Sequence, residues 1–153
     1  MFVGDEVRLD VSFAIARDRL VRLSESGALL EPSQAAYTGL ARVGVERLSK
    51  LVRVQVRELS WTDRSAGLAL RWEATGAGGG LFPVLDADLG LAALGESTML
   101  TMAGAYRPPL GSLGEALDRT ILHRVAAATI RSFLTRLAAQ ITGQPAPVPG
   151  ALP

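Results

Sequence analysis

The run from Ser112 to Thr142 constrains this chain more than any other stretch, because it reads as one long helix that needs a surface to pack on. Ser112 and Glu115 have the capping-box spacing, in which the serine hydroxyl and the glutamate carboxylate each satisfy an orphan backbone N–H. Pro108 and Pro109 end the segment before it. Gly143 and Pro145 close the far end, since glycine tolerates the left-handed conformation and proline cannot continue a helix. The span is about thirty residues, or roughly 45 Å of helix. Leu122, Ala126, Ile130, Phe133, Leu137 and Ile141 recur at steps of three and four, the mark of an apolar helical stripe. Leu134 and Ala127 widen it into a core-facing stripe, broader than a coiled-coil seam. Toward the N-terminus the same ridge meets Arg119 and His123, two polar side chains on an apolar line.

The surface it needs lies just upstream. Val52, Val54 and Val56 alternate with Arg53, Gln55 and Arg57, which predicts a strand over Lys50–Leu59. A turn over Ser60–Arg64 leads to Ala66–Thr75, with Leu68, Leu70 and Trp72 on one face and Arg71 and Glu73 on the other. After the glycine run at 76–80 come strands at Phe82–Leu91 and Thr98–Arg107, separated by a turn at Gly95. Connections this short imply antiparallel neighbours, because a parallel pair needs a crossover of a dozen or more residues.

The first half is less regular. Val7, Leu9, Val11 and Phe13 alternate with Arg8, Asp10 and Ser12, predicting a strand over Asp5–Phe13. From Ala16 the period becomes helical, with Leu20 and Leu23 on one face and Gly27 as its C-terminal stop. A second helical turn at Ala28–Glu31 and an edge strand around Ala36–Val43 complete the expectation. A one-faced sheet and an amphipathic helix bury each other most economically. The expected fold class is α+β: a curved antiparallel sheet wrapped around a long C-terminal helix, with short helices after the first strand. Residues 1–142 form the domain, and 143–153, which holds four prolines, reads as a disordered tail.

Composition enters mainly through what it excludes. Without cysteine there is no disulfide, thiolate nucleophile or cysteine-ligated metal, and a lone histidine rules out a histidine-rich site. No metal and no cofactor are therefore expected. Sixteen basic residues against fifteen acidic ones, well interspersed, lack the clustered basic face that nucleic acid requires. No apolar run reaches the roughly 18 residues of a spanning helix. The acidic start, Met-Phe-Val-Gly-Asp-Glu-Val, does not read as a secretory signal, so a cytoplasmic location is expected.

This order of elements resembles the START-like (SRPBCC, helix-grip) superfamily, which includes polyketide cyclases, lipid-transfer domains and birch-pollen-allergen-like proteins. The text that carries the resemblance is Leu70-Arg71-Trp72-Glu73-Ala74, the stretch Leu81–Leu89, and Gly104-Ala105-Tyr106-Arg107-Pro108-Pro109-Leu110-Gly111. Leu117-Asp118-Arg119 and His123-Arg124-Val125-Ala126 follow. These segments look like an actinobacterial branch of that superfamily. The resemblance implies an apolar ligand held between the sheet and the long helix, and in some members acid–base chemistry there. It brings no invariant catalytic motif to carry over.

Candidate residues follow from faces and chemistry. Trp72, Met102 and Tyr106 lie on strand faces assigned to the interior, and with Arg119, His123 and Ala126 of the helix they form the expected ligand-binding set. Because the unperturbed imidazole changes charge near neutral pH, His123 could act as a general acid or base. Tyr106, His123 and Arg119 are the catalytic candidates of a cyclase or dehydratase. The plainer reading places the polar pair against carbonyls at the sheet edge and the aromatics in ordinary core. Asp86 and Asp88 share a face opposite Leu85, Ala87 and Leu89, so they are expected outward, pairing with Arg71 and with Arg53 or Arg57. The glycine run lacks the dinucleotide fingerprint, since Leu81 stands where the last glycine would be. The expected function is carriage or sensing of an apolar or aromatic small molecule. A cyclase using the same cavity, or a ligand-free module able to form a homodimer, are the alternatives.

Overall fold

The computed structural model describes residues 2–27, 52–74, 84–107 and 119–144. The elements in chain order are β1 (Phe2–Leu9), α1 (Phe13–Glu25), β2 (Val52–Trp61), β3 (Ser65–Ala74), β4 (Val84–Leu94), β5 (Ser97–Arg107) and α2 (Arg119–Thr142). Among the described residues the strands make one five-stranded sheet in the order β1-β5-β4-β3-β2. Every pairing is antiparallel. Strands β2 to β5 are the meander expected from their short connections, and β1 adds to its far side beside β5. The fold is α+β, as expected. The expected turn at Ala28–Glu31, the edge strand at Ala36–Val43, the glycine run, the Ser112 capping box and the tail beyond Gln144 lie outside the described residues.

The sheet buries one face, as its alternating pattern requires. Leu68, Leu70 and Trp72 of β3, Leu85, Leu89 and Leu91 of β4, and Leu100, Met102 and Tyr106 of β5 are all buried. From α2 the buried set is Ile130, Phe133, Leu134, Leu137 and Ile141, the stripe that the sequence periodicity draws. α2 lies closest to β1 and reaches β5 less. An ion pair from Arg131 Nε to Asp5 Oδ2 at 3.0 Å ties the helix to β1. α1 covers the other end of the same face, where Phe13, Ala16 and Leu20 are buried.

The first strand is shorter than its alternation suggests. It ends at Leu9, and Ser12, with extended backbone, starts a helix whose first turn closes through Ala16 N–H to the Ser12 carbonyl at 3.0 Å. Val11 and Phe13 keep the apolar alternation because the chain folds over the end of the sheet. The buried Thr98 hydroxyl donates to the Val11 carbonyl at 2.9 Å and holds that turn. The helix ends conform to sequence. Gly27 follows the α1 C-cap at φ 75, and Gly143 follows α2 at φ 74. Gln144 N–H donates to the Ala139 carbonyl at 3.0 Å, the long bond of a Schellman motif. The last turn of α2 carries no basic residue of its own. Arg19 of α1 supplies one, donating to the Ile141 carbonyl at the negative end of the helix dipole.

Candidate functional site

The interior between sheet and helix receives three of the expected residues directly. Trp72, Met102 and Tyr106 are all buried on the inner face of the sheet. Their positions follow from strand parity: Leu85 pairs with Trp72 on one side and with Tyr106 on the other, and Leu89 pairs with Met102. Residues directly opposite in an antiparallel ladder project to the same face. The indole of Trp72 meets the ring of Phe133 edge to face, with centroids 5.0 Å apart and planes at 75°. That contact joins β3 to α2 across the middle of the interior.

The helix residues divide. Ala126, with Ala127 and Ala128, is half-buried on α2. His123 is exposed, one turn earlier. Arg119 opens α2, and its side chain lies outside what is described. His123 therefore stands in solvent while Tyr106 is sealed in the core, so these two do not share an enclosed acid–base position. Asp5 of β1 and Arg131 of α2 form a pair that the sequence pattern did not single out.

The apolar strip of β2 runs past the expected end of that strand at Leu59. Val54 pairs with Trp72 and Val56 with Leu70, but the register then shifts, so that Leu59 pairs with Leu68 and Trp61 with Ala66. The extra residue of this bulge changes strand parity and keeps Leu59 and Trp61 on the concave side. Val56 and Trp61 remain 37% and 59% exposed there. The signal was present: apolar residues fall at even positions through Val56 and at odd positions from Leu59 onward.

The carboxylates behave as expected of an outer face, and Asp86 gains Arg107 as a partner that was not foreseen. Asp86 accepts from Arg71 at 3.4 Å and from Arg107 at 3.0 Å. The further pairing expected with Arg53 and Arg57 falls on side chains outside what is described. Asp88 is exposed, opposite Ala69 and Ala103. Exposed pairs of this kind are worth a fraction of a kcal/mol, up to about 1 kcal/mol. Among the described residues no group of three or more His, Asp or Glu side chains could hold a metal ion. No described helix is long and apolar enough to cross a membrane.

Burial raises the Tyr106 phenol above its ordinary value of 10.0, because the desolvated site disfavours the phenolate. The unfolded chain then loses this proton first. Stability is unaffected by the group below pH ~10 and falls as pH rises from there toward the higher folded value. Urea midpoints measured from about pH 9 to 11 are expected to fall less steeply in Tyr106→Phe than in the native chain. Parallel slopes would contradict the assignment.

Comparison with protein-family models and with curated proteins returns no match. Similar solved structures include a hypothetical protein of Helicobacter pylori, at a TM-score of 0.53 and 13% identity over 91% of this chain and 86% of that one. A Thermus thermophilus protein follows, at a TM-score of 0.47 and 14% identity over 94% and 98%. An aromatase/cyclase from a Streptomyces species has a TM-score of 0.46 and 9% identity over 94% and 92%. At such identities the likeness is one of fold. With its antiparallel sheet packed against a C-terminal helix, this chain has an α+β helix-grip fold, shared in outline with the Helicobacter pylori protein.

Proposed function

We propose that the chain binds an apolar or aromatic small molecule between the concave face of the sheet and α2, as a carrier or sensor. The observation that supports this reading is the apolar strip of β2. Val56 and Trp61 face the same side as the buried Leu70 and Ala66, yet they stay 37% and 59% exposed. A sheet closed tightly on its helix would cover both, since each apolar Å² removed from water is worth about 25 cal/mol. Trp72, Met102 and Tyr106 supply the floor of the site, and the small Ala126 leaves room on the helix side.

The test is titration of the folded protein with N-phenyl-1-naphthylamine, a neutral apolar fluorophore. Saturable one-to-one binding is expected. Val56→Asp, which places a charge on an already exposed position of the strip, is expected to weaken binding by at least about tenfold. Its unfolding midpoint should stay near that of the native chain, because surface changes away from the core are mild. Absence of saturable binding by folded protein, or indifference of the affinity to Val56→Asp, would sink the reading.

A further inference from the structure

We propose that the ligand presents a hydrogen-bond acceptor, a carbonyl or ether oxygen on an otherwise apolar frame, to the indole Nε1 of Trp72. This rests on the binding reading above and narrows its ligand class. Trp72 is 5% exposed, and its Nε1 is the one buried side-chain polar atom among the described residues with no hydrogen-bond partner. An indole N–H can only donate, so nothing but an acceptor satisfies it. Buried polar groups elsewhere in the core have found theirs: Thr98 donates to the Val11 carbonyl and Ser97 to the Leu94 carbonyl. An orphan buried donor is uncommon in folded proteins and calls for a specific cause.

Packing does not supply that cause. A phenylalanine ring in the same place would meet Phe133 without burying an N–H. Phe133, in T-shaped contact with the indole, has no side-chain oxygen or nitrogen that could accept from it. Location supplies the cause instead. Trp72 stands opposite Val54 on β2, so Val56 is its diagonal neighbour on the same face, within reach of a large side chain. The exposed strip thus leads to the indole. In the closed packing the nitrogen is sealed. To reach it, the ligand's oxygen displaces the packing around the indole, exchanging an apolar contact for a hydrogen bond.

Fluorene and 9-fluorenone share one ring frame and differ by a carbonyl, which makes them a matched pair of probes. Each is titrated against the native protein and against Trp72→Phe. The native chain is expected to favour fluorenone over fluorene by about five- to tenfold, the scale of one buried hydrogen bond. That preference should fall to about one in Trp72→Phe. In the native chain the Trp72 indole N–H proton resonance, assigned by its persistence in Trp61→Phe, should move downfield with fluorenone and not with fluorene. If Trp72→Phe does not fold, the resonance alone decides. Equal affinity for both probes, or a preference that survives Trp72→Phe, overturns the proposal while leaving ligand binding intact. Failure of both probes to bind overturns the binding reading itself.

Discussion

Gly104→Ala is expected to destabilise the fold by at least about 3 kcal/mol, at the upper end of what overpacking costs. A Cβ at position 104 would lie 2.6 Å from the Asp86 carbonyl oxygen, 2.7 Å from Ala87 Cβ and 2.9 Å from Ala87 Cα. None of these atoms can rotate away, because they are backbone or bonded directly to it. Gly104 pairs with Ala87 in the ladder between β4 and β5, inside the sheet. Relief would require those strands to separate and lose hydrogen bonds. Against a total stability of about 5–15 kcal/mol, this is a large fraction. Gly90→Ala is the informative control. There the added methyl would meet the Thr101 hydroxyl oxygen at 2.8 Å, on a side chain that can turn. Urea unfolding of both variants should show a far larger loss for position 104. Comparable midpoints would mean that β4 and β5 approach each other less closely than described.

Leu134→Ala is expected to cost about 3 kcal/mol, within the 2–5 kcal/mol range for truncating a buried leucine. Leu134 is 0% exposed, in the stripe that also carries Ile130 and Leu137. His123→Ala, earlier on the same helix, should leave the urea midpoint nearly unchanged, because His123 is exposed. The contrast tests whether α2 is anchored by its C-terminal half alone. The described side chains are exposed or half-buried through Ala128, and full burial begins at Ile130. A large loss at His123 would show that the start of the helix is anchored too.

Much of the fold was legible in local pattern. Alternation located β2 to β5 to within a few residues, and the three-four spacing placed Ile130, Phe133, Leu137 and Ile141 on the buried side of α2. Parity alone put Trp72, Met102 and Tyr106 inside and Asp86 outside. Extending the apolar ridge back to His123 was less sound. A periodic pattern says which residues share a face, and not where along the helix that face loses its partner surface. The small size of Gly104 reads in sequence as room for a ligand. In the structure the neighbouring strand occupies that room.

By itself, then, the sequence determined which segments are strands and helices, which side of each is apolar, and that the strands run antiparallel. Those properties arise from backbone periodicity, capping and loop length, all of which act between near neighbours in the chain. Only the tertiary structure decided that β1 joins β5, that a bulge turns Trp61 to the concave side, and that Phe133 meets Trp72 without satisfying its N–H. Each of these depends on distances between residues far apart in sequence. Such distances are set by how layers pack, and no local period records them.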